Sequence, residues 1–245
     1  MGADYLEPDL ACTRDGVLVC RHEPDISQTS DVLERFPGRE PMVWEFTLAE
    51  LKTLRARERL PDVRPLNTDY DGRFEIPTFA ELLELAASVG KGVYPETKHP
   101  ERFAALGLAL EPMVDEALRD FDGPVYLQSF SPDSLRAMRA FGHPQVQLVT
   151  SAWGSFDFEQ IATYADAIGP PKQIVDADFV AGAHAAGLEV HPFTFRRENR
   201  FMAPEFRRPG EVGDWRAEFE RYAALGVDAL FTDNPDLAVA ALGTS

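Results

Sequence analysis

From Gly92 onward the sequence alternates between strand-like and helix-like stretches, and this alternation limits the possible folds more than any other feature of the chain. Residues 92–98 read as a strand and residues 101–118 as a helix. A strand at 125–130 is followed by a helix at 132–141 and a strand at 146–150. A short strand at 167–169 follows the segment 161–164, and the helix at 178–186 is closed by Gly187. The last strands fall at 188–194 and 228–232, with a helix at 215–224 between them. Asn234 then caps a final helix that has Pro235 at its first position. Strands separated by helices of about 10–15 residues predict right-handed βαβ units and a parallel sheet.

The chain opens differently. Asp15-Gly16 lies between two apolar-rich runs, which is a strong hairpin signal because both central residues of a type I′ turn need positive φ. With these two residues as the loop, Arg14 pairs with Val17, Cys12 with Val19 and Asp9 with His22. Glu7 lies on the face of Asp9, since strand side chains alternate. Two carboxylates and an imidazole then share one patch, a combination suited to Mg²⁺ or Ca²⁺ and to proton transfer near neutrality. The same residues read equally well as a solvated strand face with an ordinary surface histidine. The cysteines, Cys12 and Cys20, fall on opposite faces in this register and are expected to be reduced.

Seven parallel strands can be counted, starting at Tyr5, Val93, Val125, Val146, Ala167, Leu188 and Asp228. A closed (β/α)₈ barrel needs eight. The expectation is a single α/β domain of TIM-barrel type over residues 1–245, with its first barrel strand absent and an irregular, charged insertion at about 24–75. Two capping boxes stand out, Thr47 with Glu50 and Thr78 with Glu81, the second opening an amphipathic helix ended by Gly90. The net charge of −17 argues against nucleic acid or anionic membranes as partners, so any phosphate must be held locally. The chain as written carries no apolar run long enough for a membrane span and no leader pattern.

Chemistry in such a barrel gathers at the carboxyl ends of its strands. Glu96, Lys98, Gln128, His191, Thr194 and Asp233 fall at or near those ends. Glu96 can complete a three-carboxylate site with Glu7 and Asp9, and Lys98 would set its ammonium beside a bound phosphate. The plain alternative is an exposed Glu96–Lys98 ion pair of little energetic value, against which Pro95 argues by marking a strand end. His191 reads as a structural histidine and Thr232-Asp233-Asn234-Pro235 as a helix start. His99, His143 and His184 read as solvent-facing.

Several of these motifs occur in the order found in one enzyme family. The runs Gly2-Ala3-Asp4-Tyr5-Leu6-Glu7-Pro8-Asp9-Leu10, Thr13-Arg14-Asp15-Gly16, His22-Glu23 and Tyr94-Pro95-Glu96-Thr97-Lys98 resemble the glycerophosphodiester phosphodiesterases. So do Val125-Tyr126-Leu127-Gln128-Ser129-Phe130, Val190-His191-Pro192-Phe193-Thr194 and Gly226-Val227-Asp228-Ala229-Leu230-Phe231-Thr232-Asp233. Ser30-Asp31-Val32-Leu33-Glu34-Arg35-Phe36-Pro37 is similar to the bacterial periplasmic branch. The resemblance implies a TIM-barrel hydrolase of glycerophospholipid metabolism that releases glycerol 3-phosphate and an alcohol with the help of Ca²⁺ or Mg²⁺. It implies Glu7, Asp9 and Glu96 as metal ligands and His22 as an acid/base catalyst, with Glu23 in place of the usual aspartate. It also implies Lys98 as a catalytic group, and Lys98, Gln128 and Phe193 as contacts to a small-molecule substrate. The family's opening strand, ending in His-Arg-Gly, is not in this sequence, and the expectation is a shortened version of a longer, periplasmic or secreted protein. Two rival readings remain: a metal- and phosphate-binding module with impaired catalysis, and a phospholipase D-like enzyme acting on phospholipid head groups.

Overall fold

A computed structural model describes residues 1–243 of the chain. The Cα framework divides into two compact units, one from Tyr5 to Val125 and the other from Tyr126 onward together with Met1–Asp4.

The first unit contains strands β1 (Tyr5–Leu6), β2 (Asp9–Cys12) and β3 (Leu18–Cys20), then helices α1 (Val32–Arg35), α2 (Leu48–Leu51) and α3 (Phe79–Ser88). Strands β4 (Gly92–Val93) and β5 (Glu96–Thr97) and helices α4 (Pro100–Ala105) and α5 (Leu110–Leu118) complete it. β4 runs parallel to β1 and β5 parallel to β2, while β3 returns antiparallel to β2. Both capping boxes are formed, Thr47 with Glu50 opening α2 and Thr78 with Glu81 opening α3. α3 buries Phe79, Leu83 and Ala86, which lie on one stripe at helical spacing. It ends at Gly90, with Lys91 N–H donating to the Ala86 carbonyl at 2.9 Å.

Four expectations need correction here. The hairpin register is shifted by one: Cys12 pairs with Leu18, Ala11 with Val19 and Leu10 with Cys20. The loop holds three residues, Arg14 to Gly16, with Gly16 at φ 81°. Thr13 N–H donates to the Val17 carbonyl at 3.0 Å and the Thr13 hydroxyl donates to Asp15 at 2.6 Å. Asp15 also accepts the Leu48 N–H at 2.9 Å, so a partner 33 residues away helps select this loop. Both cysteines are free, and in this register they belong to the same face of the hairpin. The helix expected over 101–118 is two helices, because Gly107 at φ 76° ends α4 with Leu108 N–H on the Phe103 carbonyl at 2.9 Å. The strand expected over 92–98 is split into β4 and β5 by Pro95, just as Pro8 separates β1 from β2. The segment 24–75 holds α1, α2 and two short 3₁₀ turns at Val43–Glu45 and Pro65–Tyr70.

The second unit contains β6 (Leu127–Ser129), α6 (Pro132–Met138), β7 (Gln145–Leu148), α7 (Phe158–Ala162) and β8 (Ala167–Gly169). It continues with α8 (Ala177–Ala185), β9 (Glu189–Val190), α9 (Trp215–Ala224) and α10 (Pro235–Leu242). β6, β7, β8 and β9 form a parallel sheet in sequence order. The strand expected at 228–232 is reduced to one parallel bridge between Phe195 and Thr232. Lys172 and Glu218 form a fully buried ion pair at 2.8 Å, with the Lys172 ammonium 5.0 Å from the centre of the Phe195 ring. Among the described residues no helix is long and apolar enough to cross a membrane.

Candidate active site

The acidic cluster is built by strand pairing. Asp9, which begins β2, is the register partner of Glu96, which begins β5. Glu7 precedes Asp9 by two residues, across Pro8. Tyr94 N–H donates to the Leu6 carbonyl at 2.8 Å and Glu96 N–H to the Pro8 carbonyl at 2.9 Å, so the pairing continues past both prolines. One ligand oxygen from each of Glu7, Asp9 and Glu96 lies within 4.8 Å of the other two. Glu96 is buried, Asp9 half-buried and Glu7 exposed, giving a graded approach from solvent. Gly92, four residues before Glu96, has no room for a side chain: a Cβ there would lie 2.5 Å from the Tyr5 ring and 2.7 Å from the Pro124 carbonyl oxygen.

Lys98 lies on the face of Glu96 and bridges two of the acids. Its Nζ is 3.1 Å from Asp9 Oδ1 and 3.1 Å from Glu96 Oε2, and its residue exposure is only 8%. The alternative of an exposed, energetically idle Glu96–Lys98 pair is therefore overturned. Burial alone would lower the lysine, but Asp9 and Glu96 outweigh it and hold the ammonium above the ordinary lysine value. Burial, reinforced by Asp9 and opposed by Lys98, raises the Glu96 carboxyl to about 8. Three carboxyl groups face one ammonium in a partly desolvated place, so a cation binding there would displace the proton that Glu96 retains near neutrality. A hard divalent cation fits this donor set: the oxygens converge and one lysine does not neutralise them.

His22 is exposed on the segment following β3, and its Nδ1 is 2.8 Å from Glu23 Oε1. That contact directs Nδ1–H at the carboxylate and leaves Nε2 as the nitrogen turned away from Glu23. In the observed register the strand neighbour of Asp9 is Arg21, whose N–H donates to the Asp9 carbonyl at 2.7 Å. The expected pairing of Asp9 with His22 is therefore corrected by one residue. Sequence reasoning passed over Arg21. Its Nε and Nη2 are buried without a hydrogen-bond partner among the described residues, and burial chiefly lowers its pKa. The available signal was an arginine ending the apolar run Leu18-Val19-Cys20. His99, set aside as a loop residue, directly follows Lys98 with a left-handed backbone at φ 48°. Its imidazole is held below the ordinary value by burial, then by the charges of Lys98 and His22.

Gln128 and Phe193 belong to the other unit. Gln128 is buried on β6, and Phe193 lies beyond β9, edge-on to Phe130 at 6.1 Å. His191 is 1% exposed and paired with Glu189 at 3.1 Å. His184 is exposed and contacts Asp228 at 2.9 Å.

Comparison with known proteins places the chain in a family. The family model of the glycerophosphoryl diester phosphodiesterases matches residues 1–237. The chain is 30% identical to the glycerophosphodiester phosphodiesterase GDPD6 of Arabidopsis thaliana, over 95% of this chain and 76% of that protein. It is 28% identical to a glycerophosphodiester phosphodiesterase of Haemophilus influenzae, over 97% and 81% respectively. An Oleispira antarctica phosphodiesterase solved with the product sn-glycerol-3-phosphate superposes with a TM-score of 0.74 at 22% identity, covering 99% of this chain and 86% of that one. That likeness gives the chain an α/β fold of TIM-barrel type. With the match to the family model spanning nearly its whole length, the chain belongs to the glycerophosphoryl diester phosphodiesterase family and to its enzyme class, the phosphoric diester hydrolases.

Proposed function

We propose that this chain hydrolyses a glycerophosphodiester of glycerophospholipid origin to sn-glycerol 3-phosphate and an alcohol, with a divalent cation held by Glu7, Asp9 and Glu96. The observation that carries the reading is the convergence of three carboxylate oxygens within 4.8 Å, with a buried lysine bound to two of the acids. A Ca²⁺ or Mg²⁺ ion bound there supplies positive charge toward the non-bridging phosphoryl oxygens. Lys98, held in place by Asp9 and Glu96, adds charge where negative charge builds in the transition state. His22, with Nδ1 turned to Glu23, presents Nε2 to take a proton from the attacking oxygen, a water or the glycerol 2-hydroxyl. General acid/base help of this kind contributes about 10²–10⁴-fold.

The test is to incubate the protein with glycerophosphocholine and Ca²⁺ or Mg²⁺ and measure release of glycerol 3-phosphate. Release that requires the cation and is lost in Glu96→Ala is the expected result. Failure to bind either cation would remove the basis of the proposal. Binding of a cation without hydrolysis would leave a metal-binding domain in place of an enzyme. A His22→Gln variant should keep its affinity for the cation while losing turnover.

A further inference from the structure

Three phenyl rings cluster in the second unit, where the chain leaves the carboxyl ends of β7 and β8. Phe156 and Phe158 stack with ring centres 6.5 Å apart. Phe179 stands edge-on to both, 5.8 Å from Phe156 and 5.2 Å from Phe158. All three are half-exposed, and with Ile174, Asp176 and Asp178 they line an open cleft of about 390 Å³. No lysine, arginine or histidine lines it. It lies at the same edge of the sheet as the chain beyond β9 that carries Phe193.

Phenyl faces carry the negative end of the ring quadrupole and attract a cation that can shed its water cheaply. The two aspartates add full negative charge at the wall. A small metal ion would require more oxygen ligands than two carboxylates among phenyl rings provide. A primary ammonium would lose hydration without enough acceptors to replace it. An anion is disfavoured although the cleft adjoins the first turn of α8, because Asp176 already accepts the Phe179 N–H at 2.8 Å and Asp178 adds like charge. A quaternary ammonium, large, weakly hydrated and methyl-coated, meets all these conditions. We infer that the cleft lined by Phe156, Phe158 and Phe179, with Asp176 and Asp178 at its wall, binds a trimethylammonium group. Such a group occurs on the alcohol half of a choline diester, and to that extent the inference rests on the proposed hydrolysis.

The experiment uses the cation alone, so it reads the cleft whether or not any diester is cleaved. Tetramethylammonium chloride and choline chloride are titrated into the full chain by calorimetry, against sodium chloride at equal ionic strength. Fluorescence of the exposed Trp153, close to the cleft in sequence, serves as a second readout. Saturable binding of both cations is expected. The neutral isostere 3,3-dimethylbutan-1-ol should bind at least about tenfold more weakly than choline, since it lacks the charge. Phe179→Leu, which keeps apolar bulk and removes the ring, should weaken choline by about fivefold or more, and Asp178→Asn by a smaller factor. Phe156→Leu is the second ring variant should Phe179→Leu fail to fold. Equal affinity for choline and its neutral isostere would reduce the site to an apolar cleft and overturn the inference. Absence of saturable binding, or ring variants that bind as the parent does, would overturn it as well.

Discussion

Lys98→Met separates the structural and catalytic consequences of the acidic cluster in one variant. In the native chain the Lys98 ammonium bridges Asp9 and Glu96 at 3.1 Å each, with side-chain exposures of 10%, 16% and 6% for the lysine, the aspartate and the glutamate. Above the Glu96 value of about 8, where both acids are ionised, removing one partner of a buried, hydrogen-bonded ion pair costs about 3–5 kcal/mol, because the remaining charge stays desolvated and unpaired, so the comparison is made at pH 9. Unfolding entropy near 2.1 cal/mol/K per residue amounts to about 0.5 kcal/mol/K for this chain. Lys98→Met should therefore lower Tm by about 6–10 °C in the presence of EDTA. A divalent cation replaces the lost positive charge, and a ligand at a hundred times its Kd contributes about 2.7 kcal/mol. It should contribute more to the variant, whose carboxylates no longer share a lysine. Thermal unfolding followed by circular dichroism, with EDTA and with saturating Ca²⁺, should show the gap between variant and parent narrowing once the cation is present. Hydrolysis should stay depressed by about 10²–10³-fold even then, since the transition state has lost a fixed charge. An equal Tm loss with and without cation, or none in EDTA, would refute the reasoning.

Lys172→Met should destabilise by about 3–5 kcal/mol, because it strands Glu218, which is 1% exposed and still accepts the Ala203 N–H at 3.1 Å. Urea titration of the double variant Lys172→Met/Glu218→Leu should recover most of that loss, since two apolar side chains leave no buried charge. Gly92→Ala should cost about 1–3 kcal/mol by forcing a methyl against the Tyr5 ring and the Pro124 carbonyl, measurable as a lower denaturant midpoint with an unchanged slope. Hydrogen bonding from Arg39, with the Thr47 N–H adding, pulls Glu50 down to about 2 from an ordinary value of 4.5. Its stabilisation is therefore complete above the unfolded value near 4.5 and is lost as the pH falls toward 2. Acid titration of stability should show the parent losing more than Glu50→Gln across that window.

Much of the site's chemistry was legible in the sequence. Glu7 and Asp9 are two apart on strand-type residues, and Glu96 and Lys98 are two apart on another, so each pair's shared face follows from the period of a strand. The capping boxes at Thr47 and Thr78 were readable for the same reason: the hydrogen bonds that make them close within four residues. Gly107 also carried a local signal, a helix terminus, that the continuous amphipathic pattern around it masked.

By itself the sequence determined which residues could form caps, turns and strand faces, because those choices depend on side chains and backbone groups only a few positions apart. Tertiary structure decided the hairpin register, through the Asp15 contact to Leu48 33 residues away, and with it whether His22 or Arg21 is the strand neighbour of Asp9. It also decided that Lys98 is buried against Asp9, 89 residues distant. Such pairings depend on which strands lie side by side and on how much water their packing excludes, and no local preference in the chain encodes either.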